Sequence, residues 1–313
     1  MIKKKFKIIY AVGIHSGGGL FVLNYLKNKI ININDILYID SRLKSVKFKK
    51  KNKLYKIGNN FFSKIWHEYK VLNNKNYTNA EFIFLNGLPP LTNKLGNITV
   101  YFQNANILKF KLNFTYLFSL DLMRTLKFFF FKNNVNKWIV FSNNAKKKLS
   151  KFVNKKIFIE EIKINIKKKK LKKIYDFIYP ASGEDHKNHK KLIEALVILS
   201  KKNIYPKVLI TLKDNHLKKH KINYYIKRYK LKLFNKPHNN RNFFLNNYNK
   251  SKALIFPSFS ETLGLPLLEA KKFNIDILAS NLDFAKGYTS KQKLFDPFDE
   301  VSIADAIIKY LKK

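Results

Sequence analysis

Residues 256–270 read FPSFSETLGLPLLEA. The apolar run Ala253–Pro257 leads into this stretch. It is short, carries β-branched and aromatic residues and stops at a proline, as a buried strand does. A polar loop follows, and from Leu265 to Phe273 a helix is expected. Strand, polar loop and helix in that order form the repeating unit of a parallel sheet covered by helices. Glu261 and Glu269 bracket the Gly-containing helix start, eight residues apart. Eight residues are just over two helical turns. With Glu261 just before the helix and Glu269 within it, both can reach one elongated ligand lying across the helix N-terminus. The backbone N–H groups near Leu263, Gly264 and Leu265 would face that ligand, and the helix dipole favours an anion such as a diphosphate. Gly264 allows close approach of ligand and backbone.

Outward from this stretch the alternation continues. Strands are expected at Ile174–Tyr179, Lys207–Leu212 and Ile275–Ala279, with helices at Leu192–Lys201 and Ser302–Leu311. In the first half, Lys7–Ile14 reads as a buried strand. A helix follows at Leu20–Ile30, its Leu20, Leu23, Leu26 and Ile30 spaced for one face. Ile36–Ile39, Glu81–Leu85, Ile98–Phe102 and Lys137–Ser142 read as further strands, and Leu120–Phe131 as a helix. The lysine-rich stretch KINIKKKKLKK, residues 163–173, has little apolar periodicity. A charge run of this kind is a solvated face or a linker, and it is taken to divide the chain into residues 1–168 and 169–313. The sequence contains no internal repeat, only two similar architectures.

Two further patches bear on chemistry. YPASGEDHKNHKKLIEA, residues 179–195, places a loop with Ser182 and Lys187 between strand and helix. GIHSGGGLFVLNYL, residues 13–26, is a glycine-rich connection between first strand and first helix, a generic anion cradle. It lacks G-x-G-x-x-G and G-K-[ST], so it is not expected to be a dinucleotide or P-loop site. Gly18 and Gly19 are its candidate residues, and His15 beside it is the histidine best placed for a cleft. The pairs His186/His189 and His216/His220 have helical spacings but no third ligand or H-E-x-x-H pattern. They are expected to have surface or loop roles, and no metal site is expected.

The E-x(7)-E string, with PS before it and GLP and EA inside it, resembles the retaining GT-B glycosyltransferases of family 4. The lysine loop and the helix LIEA after it are similar to a second segment of that family. The resemblance implies two Rossmann-like domains with parallel sheets facing a central cleft, and sugar transfer from a nucleotide-sugar donor. It implies that Glu261 contacts donor-sugar hydroxyls, Glu269 the nucleotide ribose, and Lys187 the phosphates. It places Gly18 and Gly19 against the donor from the acceptor side. Ser182 stands where the family usually has an arginine, so donor phosphate would lean on Lys187 and backbone amides. NGLPPL and VYFQNANIL, residues 86–108, look like the acceptor-side segment of members that build surface polysaccharide or lipopolysaccharide. Gln103 and Asn104 stand there in place of a histidine found in many relatives. SNLDFAKG and LFDPFD, residues 280–299, follow the family's C-terminal run, which often continues into a helix where this sequence stops at Lys313. The donor would be a substrate, no cofactor or metal is expected, and the acceptor would be a glycan or a lipid-linked one.

Composition bounds these readings. The chain of 313 residues is 46% hydrophobic and 15% aromatic, too apolar for disorder despite its charge. It has no cysteine, hence no thiolate nucleophile, disulfide or thiolate zinc site. The formal net charge is +43. Such a field attracts nucleic acid, anionic lipid and phosphate ligands alike. The cations are almost all lysine, the arginines being Arg42, Arg124, Arg228 and Arg241. Arginine is the usual choice for reading bases or clamping phosphates. Lys, Asn, Ile, Phe and Tyr share A/T-rich codons, so base composition accounts for most of the excess. Specific nucleic-acid recognition is not expected, while an anionic membrane surface is a further partner the charge suggests. No stretch reaches the roughly 18–20 apolar residues of a membrane span, and the basic start runs into glycines, not a cleavage site. A cytoplasmic location, peripheral on the inner membrane face, is therefore expected. LMRTLKFFFFK, residues 122–132, sets four aromatics between cations as a docking candidate or, equally, a buried helix. The rival to the enzyme is a polyanion- or membrane-binding, non-catalytic relative.

Overall fold

In the computed structural model the chain divides into two units, Met1–Ile162 and Lys163–Lys313. The structure describes residues 6–15, 17–44, 46–48, 51–108, 119–164, 168–237, 241–261 and 263–312, without the side chains of 106 and 241–244. The division falls a few residues before the expected boundary. Residues 165–167 of the lysine-rich stretch and the basic head 1–5 lie outside the described residues.

The first unit runs β1 (Lys7–Ala11), α1 (Gly17–Ile30), β2 (Ile36–Asp40), β3 (Lys53–Ile57), α2 (Phe61–Leu72), β4 (Glu81–Phe84), β5 (Ile98–Tyr101), α3 (Leu120–Phe131), β6 (Lys137–Val140), α4 (Asn143–Leu149) and β7 (Ile157–Ile159). Its strands form one sheet in the order β3-β2-β1-β4-β5-β6-β7, every pairing parallel. β1, β2, β4 and β5 read as near-continuous apolar runs because helices cover both faces. β3 has the sequence KLYKI, and all but its last residue are exposed. It is one of the two edge strands, where lysines discourage pairing with another chain, and its polarity hides it from an apolar-run reading.

α1 begins earlier than the spacing predicts. Gly17, Gly18 and Gly19 form its first turn, so the expected glycine turn is a helix N-terminus. Glycine is tolerated there because first-turn N–H groups have no intrahelical partner in any case, and the periodicity starts only at Leu20. In α3 the phenylalanine quartet splits. Phe128 is fully buried against Phe102 and Trp138, whereas Phe130 is 75% exposed.

The second unit runs β8 (Tyr175–Tyr179), α5 (His189–Lys201), β9 (Val208–Ile210), α6 (Asp214–Lys219), α7 (Ile222–Tyr229), β10 (Leu233–Asn235), α8 (Arg241–Asn249), β11 (Ser251–Phe256), α9 (Leu265–Phe273), β12 (Asp276–Ser280), β13 (Leu294–Phe295) and α10 (Glu300–Leu311). The sheet order is β10-β9-β8-β11-β12-β13, again all parallel. Counted from β8 this is the order 3-2-1-4-5-6 of a doubly wound fold. The central pair β8 and β11 registers Ala253 on Phe177 and Leu254 on Ile178, all buried. α10 starts at Glu300 because the Asp299 carboxylate caps the N–H groups of Val301 and Ser302.

Candidate active site

In a doubly wound sheet the strand order reverses between the first and fourth strands, and the loops leaving their carboxyl ends diverge to open a crevice. In the second unit those loops follow β8 and β11. They carry the two candidate segments that lie far apart in sequence.

The loops are bound to each other through side chains the sequence did not single out. Asn188, buried and left-handed at φ 59°, donates from Nδ2 to the carbonyls of Pro257 (3.0 Å) and Pro297 (2.7 Å). The Phe259 N–H donates to the His186 carbonyl at 2.8 Å. The buried Tyr179 hydroxyl donates to the Lys187 carbonyl and lies 3.1 Å from Ser258 Oγ. Burial, with the nearby Glu261 and Glu184 carboxylates, raises that phenol well above its ordinary pKa, so it stays a donor. Asn188 and Ser258 are ordinary loop residues in sequence, and only this convergence marks them.

On that frame Lys187 Nζ lies 2.5 Å from Glu261 Oε1, the side chains 16% and 10% exposed. Ser182 is close in chain and exposed, its hydroxyl donating to the Glu184 carboxylate. Burial would raise the Glu184 pKa, but the Ser182 hydroxyl, its own backbone N–H and the charges of His186 and Lys187 lower it overall. Gly264 starts α9 at φ 61°, and a Cβ there would stand 3.0 Å from Leu267 Cδ1. Pro266 has no N–H, and the N–H groups of Leu267 and Leu268 donate to the Gly264 carbonyl. Amides that this helix end offers to an anion are thus those of Leu263, Gly264 and Leu265. Glu269 lies within the helix that Gly264 precedes. It is 1% exposed on α9 and accepts from the Tyr248 hydroxyl at 2.7 Å. Tyr248 itself stacks on Phe273, ring centroids 5.1 Å apart.

The three histidines His189, His216 and His220 converge on the peptide groups of Ser182 and Gly183. The first is buried, not a surface residue as expected. Burial is the largest influence on it and pushes its imidazole down to about 3.

The first unit has its own reversal point, between β1 and β4. Gly13, at φ 91°, donates its N–H to Asp40 Oδ2 at 3.0 Å. Burial alone would raise the Asp40 pKa. Hydrogen bonds from the Arg42 side chain and backbone, with the charges of Arg42 and Lys64, hold it well below the carboxylate range. A Cβ on Gly19 would lie 3.5 Å from Gln103 Oε1, and Gln103 Nε2 donates to the Leu85 carbonyl at 2.6 Å. The structure thus brings Gly19 and Gln103 together. His15 and Gly18 are exposed, Asn104 half-buried. Among the described residues no three His, Asp or Glu side chains form a group able to hold a metal.

Comparison with known proteins follows this division. Residues 158–313 match the family model of the glycosyl transferases group 1. No curated protein matches the chain. Among solved structures, a sucrose-phosphate synthase from Thermosynechococcus elongatus aligns with TM-score 0.71 at 12% identity, over 99% of this chain and 90% of that one. WaaG, a glycosyltransferase involved in lipopolysaccharide biosynthesis, aligns with TM-score 0.69 at 12% identity, over 98% and 90%. A mutant of S. aureus TarM, in complex with fondaparinux, alpha-GlcNAc-glycerol and UDP, aligns with TM-score 0.58 at 17% identity, over 94% and 51%. At these identities the structures speak to the fold, two parallel α/β sheets of GT-B type. With the family's domain over the unit that carries the lysine loop and both glutamates, the chain is a glycosyltransferase whose second unit is a group 1 glycosyl transferase domain.

Proposed function

We propose that the protein transfers a sugar, with retention, from a nucleotide-sugar donor bound on the second unit to a glycan or lipid-linked acceptor. The observation that carries this is the Lys187–Glu261 pair at the reversal point of the sheet, beside the N-terminus of α9. The bond from the anomeric carbon to the diphosphate oxygen breaks and one to the acceptor oxygen forms, while the acceptor hydroxyl passes its proton to the departing diphosphate. Lys187 and the amides of residues 263–265 meet the charge left on the diphosphate. Glu261 accepts hydrogen bonds from the sugar hydroxyls, and Glu269, turned from Tyr248, holds the ribose. His15, Gly18, Gly19, Gln103 and Asn104 serve the acceptor side of the first unit. UDP is the first nucleotide to try, because TarM was solved with it. Surface polysaccharide or lipopolysaccharide assembly is the setting we favour, supported by the likeness to WaaG.

The test has two arms. Nucleotide sugars are screened for a rise in melting temperature, since a ligand of the folded state stabilises it by mass action. The best donor is then assayed for transfer with excess chelator, and turnover equal to untreated enzyme is expected. Failure of every nucleotide sugar to bind or turn over refutes the reading, and activity lost to chelator and restored by manganese refutes transfer without a metal.

The same proposal includes docking of the first unit on anionic lipid. No helix among the described residues is long and apolar enough to cross a membrane. Leu120, Leu126 and Phe130 on α3, and Phe62, Trp66 and Tyr69 on α2, are exposed. Lys127 Nζ on α3 bonds Glu68 on α2 at 2.6 Å, so the two helices are neighbours. Exposed aromatics among lysines suit a headgroup layer, and Lys70 stands 3.5 Å above the Trp66 ring. Co-sedimentation with anionic vesicles that weakens with salt is expected. Equal pelleting with neutral and anionic vesicles, insensitive to salt, refutes it.

A further inference from the structure

The loop after β8 is held by imidazoles. His189 Nε2 lies 2.9 Å from the Ser182 carbonyl oxygen, and His220 Nε2 lies 3.0 Å from that of Gly183. The Gly183 N–H donates to His216 Nδ1 at 3.1 Å. A carbonyl only accepts, so His189 and His220 each carry a proton on Nε2; an amide N–H only donates, so His216 Nδ1 is unprotonated. The Ser182 carbonyl and Gly183 N–H belong to one planar trans peptide and point in opposite directions. That single peptide is therefore gripped at both ends, by His189 and by His216, and the next one at its carbonyl by His220. His216 lies on α6 and His220 directly follows it. A further tie from the same helix is the Lys219–Asp185 ion pair at 2.5 Å. The grip requires residue 183 to be glycine, because a Cβ would collide with the His216 ring.

Carbonyl oxygens turned toward an anion repel it, whereas carbonyls engaged by imidazole N–H groups are kept from doing so. The gripped peptides lead directly into the turn that ends at Lys187. We infer that His216 and His220 are positioning residues for donor binding: they set the Ser182–Gly183 peptides, and through them the reach of Lys187 toward the donor diphosphate. This rests on the second unit being the donor domain. Neither histidine touches the donor. Their effect is on its affinity, by way of the loop.

The experiment uses the full chain with UDP as probe, GDP and ADP being run beside it on the wild-type protein. Asparagine at 216 can present its amide oxygen near the place of Nδ1, and leucine cannot. H216L is expected to weaken UDP binding about tenfold, in line with loss of one oriented hydrogen bond, with H216N within about threefold of wild type. G183A, which displaces the ring with the histidine still present, is expected to follow H216L. Hydrogen exchange at the Gly183 amide is read without ligand, and slow exchange in the wild-type protein and H216N is expected, fast exchange in H216L. Folded H216L that binds UDP like wild type overturns the inference, as does H216N binding as weakly as H216L. Unprotected exchange at Gly183 in the wild-type protein also overturns it, and no folding defect of a variant can mask that result. Wild-type protein that binds none of the three nucleotides refutes the donor domain itself and the inference with it; failure in the variants alone leaves the donor domain standing.

Discussion

Lys187 is paired with Glu261, so a donor phosphate must compete with that carboxylate. At 2.5 Å the gross attraction in an effective dielectric of about 20 is roughly 7 kcal/mol. Desolvation of two ions offsets most of it, at several kcal/mol each for full burial. The side chains are 16% and 10% exposed, between a surface pair, worth about 0.2–1 kcal/mol, and a fully buried one. A net of about 1–2 kcal/mol is therefore reasonable, and it lowers phosphate affinity by the fraction of time Lys187 is unpaired. Glu261→Gln removes the competitor and should tighten UDP about five- to thirtyfold. The same change should cut turnover by about 10²-fold, because the sugar loses a polar partner. Lys187→Met should weaken UDP, and adding Glu261→Gln to it should yield no further gain. The assay is calorimetric titration of UDP over the four proteins of this double-mutant cycle, with steady-state kinetics on each. Glu261→Gln that binds UDP no tighter than wild type, or an equal gain with Lys187 absent, would refute the competition.

Tyr248→Phe removes the hydroxyl that donates to buried Glu269 and should lower stability by about 1–3 kcal/mol, while Glu269→Gln should weaken UDP and raise donor KM with kcat largely kept; calorimetric titration and denaturant unfolding read the two effects. Phe128→Ala should cost about 3–5 kcal/mol, as truncation of a buried aromatic does, whereas Phe130→Ala should stay within about 0.5 kcal/mol in the same denaturation experiment. His189 is held neutral in the fold, its pKa about 3 against an ordinary 6.5. Below 6.5 the unfolded chain takes up a proton that the folded one refuses. Stability therefore falls as pH drops from 6.5 toward 3, by up to about 1.4 kcal/mol per pH unit from this residue. His189→Gln should flatten the slope by that amount in urea unfolding measured across the window, and an unchanged slope would count against a neutral buried imidazole.

Much of this architecture follows from local patterns. Buried parallel strands are continuous apolar runs, and β1, β2, β4, β5, β8, β11 and β12 announce themselves that way. The polar edge strand β3 and the short helix α6 do not, because little of their surface is buried and their pattern carries little apolar signal; β7 is apolar but only three residues long, and α7, although Ile222, Tyr225, Ile226 and Tyr229 share one face against the core, has only eight residues. The string of residues 256–270 and the lysine loop supply both halves of the candidate site. Their meeting is a tertiary fact. Lys187 and Glu261 lie 74 residues apart, and only the order of β8 and β11 in the sheet puts their loops side by side. The identity of each phenylalanine in 128–131 says nothing of its direction; the angle of α3 against Phe102 and Trp138 sends Phe128 inward and leaves Phe130 outside. Histidines 216 and 220 have only a helical spacing in the sequence. Their role arises because α6 lies against a loop more than 30 residues earlier, a long-range contact that hydrophobic periodicity, which reports one element at a time, does not encode.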